Sequence, residues 1–181
     1  MKKNIGAGDT GKTKILGCDL DKTSPLISLI GGLDELNSYI GFSRSLLNSE
    51  KNSNLKDLDK ILMRIQSDIF LISSELANAK LKKRITKENV KWLESVIIKL
   101  EKELKPIKNF IYPTGNVSAS SLQVARAICR RVEREAFKFS KRKRIIRSEL
   151  LSYLNRLSDV LFTIARAINR RMKIKEEIWK L

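Results

Sequence analysis

An all-α fold, a five-helix antiparallel bundle of ferritin-like up-and-down order with a glycine-rich N-terminal loop, is what this 181-residue sequence predicts. Three observations carry the expectation. Glycine and proline are scarce at 8 and 3, and Gly6, Gly8, Gly11 and Gly17 all fall before residue 18, so breakers are concentrated at the start. From Pro25 onward apolar residues recur at helical spacing between short breaks. No stretch alternates in the manner of a half-buried strand. The chain therefore divides into a loop segment over 1–24 and a helical bundle over 25–175, within one domain.

The first helix is expected from about Pro25 to Leu47, followed by the polar break 48–54. The second runs from Leu55 to about Ala79, with Leu58, Ile61, Leu62, Ile65, Ile69, Ile72 and Leu76 on one face. Thr86 is suited to cap a third helix, which carries Val90, Leu93, Ile97, Leu100 and Leu104 and stops at Pro106. Phe110-Ile111-Tyr112-Pro113-Thr114-Gly115-Asn116 is extended and apolar, and its Pro and Gly forbid a helix through it. A fourth helix spans about Ser118 to Ser140. The fifth starts near Ser148, with Leu150, Leu154, Leu157, Leu161, Ile164 and Ile168 forming a seam. Helices of ~20 residues are ~30 Å long, and short connections make antiparallel packing natural.

Composition narrows the chemistry. At 42% hydrophobic residues the chain can fill one core, and its two cysteines, Cys18 and Cys129, are too few for a disulfide scaffold. No apolar run approaches the ~18 residues of a spanning helix and no signal-peptide stretch follows Met1, so a cytoplasmic protein without membrane contact is expected. There is no histidine, which excludes Ser-His-Asp and Cys-His catalysis and histidine-ligated zinc. Chemistry must run on carboxylates, arginines, lysines, backbone amides or a cofactor. A formal charge of +17 calls for an anionic partner to be considered. The densest basic run, Lys141-Arg142-Lys143-Arg144, reads first as a solvated connection between helices. With no strand of alternating aromatics and arginines, an RNA-recognition sheet is unsupported.

Gly6-Ala7-Gly8-Asp9-Thr10-Gly11-Lys12-Thr13 satisfies G-x-x-x-x-G-K-T, yet the P-loop reading fails. That loop needs a strand before it and a helix N-terminus after it. Five preceding residues are too few for a central strand, and Gly17, Asp19 and Asp21 stand where the helix would begin. Glycine-rich backbone beside a lysine still suits phosphate through exposed amides.

On the fourth helix Arg126, Arg130, Glu133 and Arg134 fall within a sector of about 100°, beside an apolar face of Leu122, Ala125, Ile128, Cys129, Val132 and Ala136. The fifth repeats the pattern with Asn155, Asp159, Phe162 and Arg166 beside its leucine seam. A solvated flank tied by i,i+4 pairs explains such stripes, and so does a triphosphate site, since guanidinium forks bind phosphate oxygens bidentately. In the first helix Gly31 and Gly32 cost ~2 kcal/mol of propensity, which implies a close approach there. Asp34, Glu35 and Asn37 beside them suit capping, pairing with arginine or ligand contact equally. Cys129 reads as a small buried hydrophobe.

Four of these segments resemble the corrinoid (cob(I)alamin) adenosyltransferases of the propanediol-utilisation type. They are Gly8-Asp9-Thr10-Gly11-Lys12-Thr13; Leu33-Asp34-Glu35-Leu36-Asn37-Ser38-Tyr39-Ile40-Gly41; Phe110-Ile111-Tyr112-Pro113 with 125–134; and Leu154-Asn155-Arg156-Leu157-Ser158-Asp159-Val160-Leu161-Phe162. They occur in the family's order and span residues 6 to about 170. The resemblance implies a homotrimer with active sites between subunits, in which reduced corrinoid attacks the 5′-carbon of ATP, giving adenosylcobalamin and triphosphate with magnesium assisting. It assigns Gly6, Gly8, Asp9, Gly11, Lys12 and Thr13 to ATP, with Lys22 reaching the phosphates. Arg130, Glu133, Arg134 and Asn155 would hold triphosphate, magnesium and nucleoside, magnesium arriving with ATP and taking Glu133 as its carboxylate. Asp34 and Arg126 would form a salt bridge between subunits. Phe110 would press on the lower corrin face, with Asp159 and Phe162 also on the corrinoid side.

The sequence departs from the family pattern at Gln123, where a histidine is usual, at Thr114 within a usual Pro-Gly-Gly, and at Ala7, where Thr is usual. The implied partners are a corrinoid reductase and an adenosylcobalamin-dependent acceptor enzyme. The reading from another class is a basic helical module that binds nucleic acid or a partner protein, which steep salt dependence would reveal.

Overall fold

The computed structural model describes residues 6, 8–15, 18–77, 81–142 and 146–180. Five helices make the bundle: α1 (Pro25–Ser49), α2 (Lys56–Leu76), α3 (Lys87–Glu101), α4 (Val117–Arg142) and α5 (Ser148–Arg171), with a 3-10 turn at Ser53–Leu55. Local chemistry sets their starts. The Ser24 hydroxyl accepts from the Ile27 N–H at 3.3 Å with Pro25 in the first turn, and Asn89 Oδ1 accepts from the Thr86 N–H at 3.1 Å. Asn116 Oδ1 accepts from both the N–H and the hydroxyl of Ser118, at 2.8 and 2.6 Å.

α4 packs against α1 and α5, α3 covers α5, and α2 covers α1. The predicted apolar faces of α4 and α5 are buried in full, from Leu122 to Ala136 and from Leu150 to Ile168. Cys129 lies among them, and burial, followed by the charges of Glu133 and Asp159, pushes its thiol far above the ordinary range. The glycine pair divides in role. A Cβ at Gly32 would meet Val132 Cγ2 at 3.0 Å, so Gly32 permits the close crossing of α1 and α4, while Gly31 faces open space.

The segment expected to be all loop carries an antiparallel hairpin, β1 (Lys12–Ile15) with β2 (Cys18–Asp21). It corrects the expectation of no strand. Lys12 pairs with Asp21 and Lys14 with Asp19, so opposite charges face each other across strands too short for a periodic apolar signal. Asp21 Oδ1 then accepts from the N–H and hydroxyl of Thr23 at 2.8 and 2.6 Å, turning the chain toward the Ser24 cap. Lys12 and Thr13 lie in a strand rather than at a helix N-terminus, as the refusal of the P-loop expects.

α5 ends at Arg171, short of the expected bundle boundary at 175, and residues 172–180 return as an irregular tail. Ala7 and the Lys143-Arg144 half of the basic run lie outside the described residues. Among the described residues no helix is long and apolar enough to cross a membrane.

Candidate active site

A cleft of about 1030 Å³ opens between the loop after α3, the C-terminal tail, and the outer faces of α4 and α5. The loop cannot coil onto the bundle because prolines interrupt it, so it is held from outside. Asn169, buried on α5, donates to the Thr114 carbonyl at 3.0 Å and accepts from the Asn116 N–H at 2.9 Å. It lies so close to Gly115, at φ +124°, that a Cβ there would stand 2.3 Å from its Oδ1. The tail then pairs with the loop: the Tyr112 N–H donates to the Glu177 carbonyl at 2.9 Å and the Trp179 N–H to the Phe110 carbonyl at 2.8 Å.

Arg166 fastens the tail. The stripe on α5 suggests an outward arginine, but the structure buries this one to 7% exposure. Its Nε and Nη2 donate to Glu176 at 2.6 and 3.1 Å, and Nη2 also donates to the Lys105 carbonyl at 2.7 Å. Arg166 thus ties α5, the loop and the tail together, a role its helical spacing does not reveal.

Phe110 projects from this clamp at 78% exposure, its ring edge-on to Trp179 with centroids 6.1 Å apart. Folding alone gives no reason to hold a phenyl ring so exposed on a rigid support. Across the cleft stand Gln123, Arg126, Arg130, Asp159 and Phe162, so every residue the resemblance assigns to the corrinoid side lies in one place. Arg126 Nε donates to Gln123 Oε1 at 2.7 Å and its guanidinium lies 5.9 Å from the Phe162 ring centre. Burial, and then the neighbouring Arg130, lower the Arg126 proton affinity below its ordinary value. Gln123, at the usual histidine position, is therefore an acceptor that orients a cation.

The polar strip continues along α4 and α5. Asn155 Nδ2 donates to Glu133 Oε1 at 2.8 Å, Arg156 Nη1 donates to Asn155 Oδ1 at 2.9 Å, and Arg134 Nη1 to the Arg130 carbonyl at 3.0 Å. Arg130 and Arg134 are exposed, and the Arg130 guanidinium has no hydrogen-bond or ion-pair partner among the described residues. A patch of exposed cations with one half-buried carboxylate is suited to a polyphosphate.

The glycine-rich segment lies elsewhere. Lys22 Nζ donates to the Gly8 carbonyl at 2.6 Å, and the Lys22 N–H to the Gly11 carbonyl at 2.9 Å, gathering Gly6, Gly8, Asp9 and Gly11 at the open end of the hairpin. Thr13 and Ile15 of β1 share a groove of about 300 Å³ with Gly31, Asp34, Asn37 and Phe70 on α1 and α2. Asp34 is exposed, and neither it nor Arg126 joins an ion pair among the described residues, whereas the adjacent Glu35 pairs with Arg131. Within one chain, then, the loop sits over the α1–α2 face and the arginines on the α4–α5 face.

Comparison with known proteins decides the family. The family model described as cobalamin adenosyltransferase matches residues 4–168. The chain belongs to the cobalamin adenosyltransferase family. Among curated cobalamin adenosyltransferases, it is 38% identical over 176 residues to the corrinoid adenosyltransferase of Bacillus subtilis strain 168, covering 96% of this chain and 90% of that one. It is 32% identical over 177 residues to the corrinoid adenosyltransferase MMAB of Homo sapiens, covering 95% of this chain and 70% of the other. A solved variant of the PduO-type ATP:corrinoid adenosyltransferase from Lactobacillus reuteri, complexed with cobalamin and ATP, superposes with a TM-score of 0.86 at 32% identity, covering 97% of each chain.

Proposed function

We propose that the chain transfers the 5′-deoxyadenosyl group of ATP to cob(I)alamin, giving adenosylcobalamin and triphosphate. The observation that carries this is the exposed Phe110 ring, held by loop and tail against a large cleft whose far side begins the Arg126–Arg130 strip. The substrate's cobalt(I) donates an electron pair to C5′, the C5′–O bond breaks, and that bond's pair leaves on the triphosphate. Because cobalt(I) is itself a strong nucleophile, no protein base is required, which agrees with a chain devoid of histidine.

The residues position and stabilise. Arg130 and Arg134 face the charge that develops on the leaving group, and Lys22 with the glycine-rich loop of Gly8, Asp9 and Gly11 supports the phosphates. Glu133 fits a magnesium ion carried by ATP, being one carboxylate among guanidiniums, which is the sparse protein ligation that magnesium accepts when phosphates complete its shell. Bound there, the ion neutralises and orients the triphosphate. Phe110 excludes water from the lower corrin face, with Phe162 and Asp159 opposite, and loss of the axial ligand makes reduction of cobalt(II) easier.

The separation of hairpin and arginines supports a homotrimer in which the loop of one subunit meets the α4–α5 strip of the next. Asp34 and Arg126, in no ion pair among the described residues, are the ion pair across that junction, and exposed Tyr39, Phe42, Met63 and Phe70 supply apolar area beside it. A one-electron corrinoid reductase and an acceptor enzyme complete the sequence of steps. The test is anaerobic incubation with ATP and chemically reduced cobalamin, following cobalt–carbon bond formation by absorbance. Turnover with triphosphate release is expected; no turnover, together with tight salt-sensitive binding to DNA, would overturn the reading in favour of a basic binding module.

A further inference from the structure

A second recess of about 290 Å³ lies between Leu104, the end of α5 and residues 173–176. Five cations line it: Arg166, which pairs with Glu176, and the four others Lys105, Arg170, Lys173 and Lys175. None of the four is in an ion pair among the described residues, whereas the adjacent Arg171 binds both Asp57 and Glu103. The recess has one carboxylate, Glu176, which Arg166 already holds through two nitrogens at 2.6 and 3.1 Å. A favourable interaction with the α5 C-terminus accounts for Arg170. It does not account for Lys105 and Lys175, which converge from two other segments.

The recess and the cleft share a wall. The loop that carries Phe110 begins at Leu104 and Lys105, and the tail that carries Trp179 includes Glu176. Along α5, Phe162 in the cleft and Arg170 in the recess are two turns apart, about 12 Å. Resting on the adenosyltransferase reading, we propose that this recess binds the phosphodiester of the corrinoid's nucleotide tail. Once the lower base leaves cobalt, that tail hangs from the face against which Phe110 presses, and its phosphodiester brings a single fixed negative charge to the cationic side of the same wall. The excess of unpaired positive charge in the recess favours such an anion.

The test compares two corrinoids that differ in this group alone, cob(II)alamin and cob(II)inamide, which lacks the nucleotide tail. Equilibrium binding to the ATP-loaded protein and steady-state adenosylation are measured for the parent chain and for R170Q/K175Q. Both positions are exposed and in no ion pair among the described residues, so thermal midpoints should differ only by the small loss of the Arg170 interaction with the α5 C-terminus. The double variant should bind cobalamin about tenfold more weakly, the product of two partly solvated cation contacts, with cobinamide unchanged. The preference of the parent chain for cobalamin should shrink as salt rises. Equal loss for both corrinoids, no loss for either, or a change only in inhibition by inorganic triphosphate would overturn the assignment. Failure of the parent chain to adenosylate either corrinoid would instead remove the enzyme reading on which it rests. Lys175→Glu provides a second variant, which should weaken cobalamin binding further and leave cobinamide unaffected.

Discussion

Arg130→Ala separates function from folding more cleanly than any other substitution in the cleft. The guanidinium is exposed and has no hydrogen-bond or ion-pair partner among the described residues, and its charge helps to lower the proton affinity of another cation, Arg126. Truncation removes no hydrogen bond or ion pair seen among the described residues and places a strong helix former within α4, so the unfolding free energy should move by no more than about 0.5 kcal/mol. Catalysis should respond quite differently. One preorganised donor aimed at a developing oxyanion is worth about 3–4 kcal/mol, a loss of ~10²–10³ in rate. Because the leaving-group charge appears in the transition state, the loss should fall in kcat more than in the KM for ATP. The assay is anaerobic adenosylation of pre-reduced cobalamin, with thermal unfolding measured on the same sample. A fall of less than tenfold, or a larger one accompanied by a lowered unfolding temperature, would refute the reasoning.

Four further substitutions probe the remaining parts. Asp34→Asn should leave the isolated subunit's stability unchanged but weaken assembly and activity together, measured by sedimentation and turnover; unchanged kinetics would remove Asp34 from the interface. Phe110→Ala should depress turnover of corrinoid reduced in place far more than turnover of pre-reduced cob(I)alamin, and equal effects on both would dismiss its role at the lower face. Arg166→Met deletes three charge-assisted hydrogen bonds and should free the tail, raising the corrinoid KM about tenfold while sparing that for ATP; continued protease resistance of residues 172–180 would argue against the clamp. In Asp57 burial raises the pKa, but the Arg171 hydrogen bond and charge, with smaller help from the Leu58 N–H and Lys99, outweigh it and hold the carboxyl below its ordinary value. The stabilisation is then complete above the unfolded carboxylate range and lost as pH falls through the folded value. The unfolding-temperature gap between the parent chain and Arg171→Met should stay level from neutral pH to about pH 5 and close below about pH 4.

The helices were legible because their determinants are local. Spacing of Leu150 to Ile168 and the Thr86 cap act within a few residues, so the α5 seam and the start of α3 follow from the sequence alone. By contrast, α3 stops at Glu101, short of the expected end at Pro106 and leaving Leu104 outside the helix. The cleft's lining on α4 and α5 was legible for another reason: helical periodicity groups Arg126 with Arg130 on one side of α4, and Asp159 with Phe162 on one side of α5. The hairpin was not legible, since strands of four residues with Lys–Asp pairing have no apolar alternation to detect.

By itself the sequence determined five amphipathic helices, their buried faces, the absence of histidine chemistry and the family's four blocks in order. Only the tertiary structure decided that Arg166 turns inward to clamp the tail, that Trp179 returns beside Phe110, and that the glycine-rich hairpin lies over a different face from the arginines. Each of these rests on contacts between residues distant in the chain, where backbone pairing and desolvated charge outweigh the local preferences that a linear pattern records.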